Sequence, residues 1–125
     1  MGVWGDGNFE RDDALNMLDG RYAQLLEDIR KTFQRKHETT LYEDTGESGI
    51  VANIDILTTL FEHYQSTPPG LALEEIAQWK QDYLDTFDRT IQEYLSAPGF
   101  AERRRKTVEA TFDRLYTLLK EWFED

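Results

Sequence analysis

The residues best equipped for chemistry in this chain are carboxylates. Asp82, Asp85 and Asp88 recur at three-residue steps, a spacing from which facing helices can hold Mg²⁺ for nucleotide hydrolysis. On a helix of ~3.6 residues per turn each such step drifts by about 60°. The three therefore smear across a face instead of converging, and they lie opposite the Tyr83–Phe87 stripe. A solvated face is the better reading. A second series, Asp6, Asn8, Glu10 and Asp12, alternates in the manner of a calcium loop. That loop needs Gly at its sixth position and Glu at its twelfth, where this chain has Arg11 and Met17. Bundle-type two-metal centres require Glu-x-x-His on two helices. The two histidines, His37 and His63, follow Gln34 and Leu60 at that spacing, so the motif is absent. No Gly-x-Ser-x-Gly elbow exists to raise a serine nucleophile. The chain has no cysteine, which removes thiolate catalysis, thiolate metal sites and disulfides. No catalytic, cofactor or metal site is expected.

Anion binding has one candidate, the run Arg103-Arg104-Arg105-Lys106. Four consecutive helical residues sweep about 300° and cannot all reach one ligand. Counting back from Val108 along an apolar stripe places Arg104 or Arg105 inward or on a helix seam. Cations near a helix start also oppose the dipole. The run is therefore expected to supply an internal ion pair, Arg104 or Arg105 with acids of the N-terminal stretch or of the interval 37–79.

That N-terminal stretch is the most distinctive in the chain. Trp4, Gly5, Gly7 and Phe9 precede the acids Asp12 and Asp13. Glycine permits a tight reversal, so Trp4 and Phe9 can fold back as anchors on the rest of the domain. Asp12 or Asp13 is suited to open a helix as its N-cap or first-turn acid. The functional reading of the same residues is a binding groove lined by Trp4, with Asp12 or Asp13 at its rim. The glycines do not form a phosphate cradle: no strand precedes them and no Lys-Ser/Thr follows.

The elements that must carry these residues read as helices throughout. Apolar residues recur at steps of three and four, and nothing alternates with period two. Helices are predicted at about 12–35, 47–64, 73–95 and 101–123. The first carries Leu15, Leu18, Tyr22, Leu25, Ile29 and Phe33, widened by Leu26; Gly20 lies inside it, and one bent helix is expected. The second carries Ile50, Ile54, Leu57, Phe61 and Tyr64, with Val51 and Leu60 beside them. The third carries Ile76, Trp79 or Lys80, Tyr83, Phe87, Ile91 and Tyr94. The fourth turns Val108, Phe112, Leu115, Leu119 and Trp122 inward. Ser66-Thr-Pro-Pro-Gly70 and Ala97-Pro-Gly99 separate the last three. One all-α domain follows: a bundle of four main helices, with residues 1–11 as an aromatic clamp packed on it.

Charge limits the partners. The 125 residues carry a net charge of −11, which repels nucleic acid and anionic membranes and attracts basic proteins. The interval 37–79 holds Glu38, Glu43, Asp44, Glu47, Asp55, Glu62, Glu74 and Glu75 and not one Lys or Arg. Glu43, Asp44 and Glu47 are the expected partner surface. No signal sequence or membrane-spanning run is visible, and Asp6 occupies the place where N-myristoylation needs Ser or Thr. A cytoplasmic protein, monomeric or homodimeric, is expected.

The N-terminal stretch resembles the bacterial domain of unknown function 4259 family. Those proteins open close to Trp-Gly-x-Gly-x-Phe-Asp/Glu-Asn-Asp-x-Ala-x-Asp, and Trp4, Gly5, Gly7, Phe9, Glu10, Asp12 and Ala14 match. A weaker likeness runs from Tyr42 to Leu60 and around Trp79. Arg11 and Asn16 depart from the usual Asn and Asp. The resemblance implies a small cytosolic bacterial protein and brings no activity with it. The function expected from these readings is a non-enzymatic protein-binding module, of the immunity type that inhibits a basic partner such as a nuclease. A metal-dependent hydrolase using clustered carboxylates is the alternative, and a homodimeric structural or regulatory protein a third.

Overall fold

The computed structural model describes residues 12–34, 47–90 and 98–124. Four helices account for nearly all of them: α1 (Asp12–Gln34), α2 (Glu47–Tyr64), α3 (Leu73–Thr90) and α4 (Phe100–Glu124). The fold is an all-α four-helix bundle, with no strand among the described residues. The clamp residues Trp4, Gly5, Gly7 and Phe9, and the expected extension of the third helix over 91–95, lie outside the described residues. No helix among the described residues is long and apolar enough to cross a membrane.

Local chemistry explains the ends. In the first turn of α1 the Asp13 carboxylate accepts the Ala14 N–H at 3.0 Å, an acid placed where the helix dipole favours one. The side chain of Asp12 lies outside the described set. Past the end of α2, Gln65 adopts φ 52°, the left-handed conformation common just after a helix. Its amide Nε2 donates to the Glu62 carbonyl at 2.7 Å, satisfying one of the oxygens that the helix end leaves free. At the start of α3 the Ala72 carbonyl accepts from Glu75 N–H and Ile76 N–H, and Glu74 and Glu75 lie in the first turn. Gly99 precedes α4 at φ 76°; a Cβ there would also meet the Arg103 guanidinium at 2.8 Å.

The four apolar stripes meet in one core. Tyr22, Leu26 and Ile29 from α1 join Ile50, Ile54 and Leu57 from α2, Ile76, Tyr83 and Phe87 from α3, and Phe112 and Leu115 from α4. Leu26 is central, whereas Leu25 packs at the flank. Trp79, not Lys80, takes the α3 position. Trp122 does not face in as expected: it is 39% exposed, with its ring edge-on to Phe61 at 5.6 Å. α4 ends two residues later at the rim of the bundle, where nothing described continues over the ring. The hydroxyl of buried Thr58 is satisfied by the Ile54 carbonyl at 2.7 Å.

α1 packs chiefly on α2, α2 on α4, and α4 on α3. The circuit closes between α1 and α3, where Phe33 and Trp79 stack with centroids 6.0 Å apart and planes 4° from parallel. The pairs Lys80–Asp113 and Asp88–Arg105 run in opposite directions along α3 and α4, making those helices antiparallel neighbours. α2 and α3 are consecutive in the chain but are not principal neighbours, so residues 65–72 must cross the bundle end. Two α1 side chains hold that crossing. Tyr22 donates its hydroxyl to the Ser66 carbonyl at 2.7 Å, and Arg30 donates to the Gly70 carbonyl at 3.2 Å. Pro68 and Leu71 of the same segment are buried.

Burial pushes the Tyr22 phenol up to about 12, with Asp19 and then Tyr64 adding to the effect. The neutral form is the one the fold holds, so its contribution to stability is complete below the unfolded value near 10. It declines as pH rises from there through about 12. Replacing Tyr22 with Phe should cost about 1 kcal/mol at neutral pH through the lost Ser66 bond. The difference from the wild type should narrow between these two pH values in denaturant titrations. Gly20 provides a second check. It lies mid-helix and exposed, and a Cβ there would meet nothing within 4 Å. Gly20→Ala should raise stability by up to ~1 kcal/mol, whereas Gly99→Ala should lower it, both read from the midpoint of urea unfolding.

Candidate functional site

Four of the basic residues bridge the seams between helices. Arg30 of α1 reaches across to α3, where its Nε and Nη2 donate to both carboxylate oxygens of Glu75 at 2.7 Å each. This two-point contact holds the guanidinium proton above its ordinary affinity. Lys80 of α3 donates to Asp113 of α4 at 2.7 Å. Arg105 of α4 donates to Asp88 of α3 at 2.9 and 3.1 Å and to Glu109 one turn along its own helix. Its pKa is raised, chiefly by the bond to Asp88. Arg114 of α4 contacts Glu62 and Asp55 of α2.

Of the two arginines expected to form an internal ion pair, Arg105 pairs with acids other than those expected. Asp88 and Glu109 belong neither to the N-terminal stretch nor to the interval 37–79. Counting along one helix could place Arg105 on a seam, but only the packing of α3 against α4 selects which acid stands opposite. Arg104, one step round the helix, is half-buried.

The interval 37–79 is correspondingly less uniform than its composition. Glu75 is paired with Arg30, and Asp55 and Glu62 with Arg114. Glu74 is exposed. Glu43 and Asp44 lie outside the described residues; Glu47 opens α2, with its side chain outside them. The pairings of Arg30 and Arg114 were not visible in the sequence, since 45 and 52 residues separate Arg30 from Glu75 and Glu62 from Arg114. Lys80 gave a partial signal, as the first base after that interval and a neighbour of the α3 stripe.

The carboxylate row of α3 is engaged piece by piece. Asp82 accepts from Gln78 at 2.8 Å, Asp85 from Gln81 at 2.9 Å, and Asp88 from Arg105. Each oxygen is oriented by a different donor along or across the helix, so the row does not converge on one point. Among the described residues no group of three or more His, Cys, Asp or Glu side chains could hold a metal ion. His63 is exposed on α2, edge-on to Tyr64 at 4.6 Å.

A groove of about 370 Å³ follows the α3–α4 seam, with Lys80, Arg105, Asp113 and Tyr116 in its lining above Ile76 and Leu84. Both cations there already hold carboxylates, so an incoming anion would first have to displace Asp113 or Asp88.

No protein-family model, curated protein or solved structure matches the chain. The seam pairs therefore have to be understood from their own geometry. Arg30 and Glu75 are 38% and 28% exposed, so water screens them substantially and their net value is modest. A double-mutant cycle of Arg30→Met and Glu75→Gln should give a coupling of about 0.5–1 kcal/mol. The coupling should shrink when the urea titrations are repeated in high salt.

Proposed function

We propose that this chain is a non-enzymatic protein-binding module that engages a basic partner through its acidic surface, in the manner of an immunity-type inhibitor. The observation that supports this most is the placement of the bases. Arg30, Lys80, Arg105 and Arg114 all bind carboxylates across helix seams, so they act within the bundle. Exposed Arg21, Lys31, Arg89, Arg103, Lys106 and Lys120 remain on the outside, and acids outnumber bases in the chain by 25 to 14, which gives its net charge of −11. Such a surface raises the rate of encounter with a basic protein and disfavours nucleic acid and anionic membranes. The exposed acids Asp19, Asp28, Glu74, Asp85 and Glu102 have no ion pair across a seam among the described contacts. We place the contact at Glu43, Asp44 and Glu47, the acid-dense part of an interval without a permanent cation. Asp55, Glu62 and Glu75 are held by Arg114 and Arg30, which makes them less available to a partner. The likeness of Trp4, Gly5, Gly7, Phe9 and Asp12 to the domain of unknown function 4259 family belongs to the same reading, and with it a cytoplasmic bacterial setting.

An affinity column of the immobilised protein, loaded with native cytosol and eluted with a salt gradient, tests this directly. A basic protein should elute, and its affinity for the free chain should fall steeply with added salt. Reversing the charge of Glu43, Asp44 and Glu47 to Lys together should weaken it by roughly tenfold or more, at ~0.5–1 kcal/mol for each rim charge. Binding that ignores both the salt and the substitutions would rule the proposal out.

A further inference from the structure

The outward face of α4 is balanced in charge, in a chain whose acids outnumber its bases by 25 to 14. The helix turns its buried Val108, Phe112, Leu115 and Leu119 toward the core. On the opposite side Arg103, Lys106, Ala110, Asp113, Arg114, Thr117, Glu121 and Glu124 fall in one stripe roughly 100° wide, and all eight are exposed. The three bases and three acids of the stripe cancel. They are also sorted by sign, with Arg103 and Lys106 toward the start of α4 and Glu121 and Glu124 toward its end. This order is the reverse of what the dipole of α4 favours. Neighbouring helices do not compensate it. Lys106, Glu121 and Glu124 have no ion pair among the described contacts, and Arg103 donates to the Pro98 carbonyl at 3.2 Å.

The spacing within the stripe is self-complementary. Arg103 and Glu121 are 18 residues apart, as are Lys106 and Glu124. At ~3.6 residues per turn this is about five turns, so each pair lies on one line along the helix, about 27 Å apart. A second α4 laid antiparallel over the first, with its two-fold axis near Asp113 and Arg114, sets the bases of each helix over the acids of the other. Each helix end then also lies beside the opposite end of a dipole, which suits the charges it carries. Ala110 faces Thr117 of the other copy beside the axis, and these small side chains permit the close end of the ~8–10 Å range of helix separations. Asp113 and Arg114 approach their own copies there, but each is already held within its own chain, by Lys80 and by Glu62. A partner of one sign would be repelled at one end of the stripe. A second copy matches both ends, as a two-fold contact requires.

We propose that a second copy of this chain docks on the outward face of α4, antiparallel and two-fold symmetric, with Arg103 and Lys106 of each copy against Glu121 and Glu124 of the other. The pairing holds whether or not the acidic surface binds a basic protein. One helix pair is small beside the ~800 Å² per partner of a standard interface, so the dimer is weak and forms at high protein concentration. Its charges confer selectivity and orientation more than affinity.

Charge reversal with mixing tests this by sedimentation equilibrium of the full-length chain at up to ~500 μM. The wild type should dimerise reversibly. One variant carries Arg103→Glu with Lys106→Glu, the other Glu121→Lys with Glu124→Lys. Each alone sets like charges together and should dimerise at least ~tenfold more weakly. An equimolar mixture of the two restores every opposite pair and should recover dimer to within about threefold of the wild type. Gln at the same positions should weaken the dimer about threefold or more, and it replaces a reversed charge that circular dichroism shows to unfold the chain. A wild type that stays monomeric throughout would overturn the proposal. So would a dimer that either variant retains undiminished, which would lie on another face, or a mixture of folded variants no better than its components.

Discussion

Burying the four apolar stripes against one another is the constraint from which the rest of this structure follows. Ile54, Leu57, Tyr83, Phe112 and Leu115 are fully withdrawn from water, and only four helices laid side by side can do this at once. That arrangement brings the polar edges of neighbouring helices close together. In a chain with 25 acidic and 14 basic residues, most unplanned seams would set carboxylate against carboxylate. The bundle avoids this by stationing a base at the α1–α3, α3–α4 and α2–α4 seams.

Each of these pairs is partly exposed and individually modest. Their shared effect is on charge layout more than on stability. A carboxylate bound to Arg30 or Arg114 is less available to an outside partner than one in open water. Pairing thus sculpts an acidic surface out of a chain that is acidic nearly everywhere. It also explains why the carboxylate row on α3 has the composition of a metal site without its geometry. Gln78, Gln81 and Arg105 direct Asp82, Asp85 and Asp88 to different places.

The connection between α2 and α3 shows how one residue can join local and global order. Tyr22 belongs to the core by its ring, yet its hydroxyl holds the Ser66 carbonyl in the crossing segment. Burial that would leave a phenol unsatisfied elsewhere here fixes the path of the chain. Arg30 repeats the device eight residues later, bonding the Gly70 carbonyl and Glu75 with one guanidinium. α1 therefore determines where α3 starts, although it is two elements away in the chain.

The amino-acid sequence by itself was enough to place four helices and the breaks that separate the last three, although the end expected for the third, at 95, lies outside the described residues. Their 3.6-residue periodicity and the breaks at Pro68-Pro69-Gly70 and Pro98-Gly99 are local signals, and local signals are legible without a fold. It also determined the charge excess and its uneven distribution. Only the tertiary structure decided between Leu25 and Leu26 and between Trp79 and Lys80, because adjacent residues differ by about 100° on a helix and the neighbouring helix selects the inward one. Only the tertiary structure left Trp122 at the rim, since that depends on where α4 stops relative to α2. The choice of partners for Arg30, Arg105 and Arg114 was likewise out of reach. Their acids across the seams stand 45, 17 and 52 residues away, and no sequence pattern reports which helices become neighbours when α2 and α3 are joined across the end of the bundle.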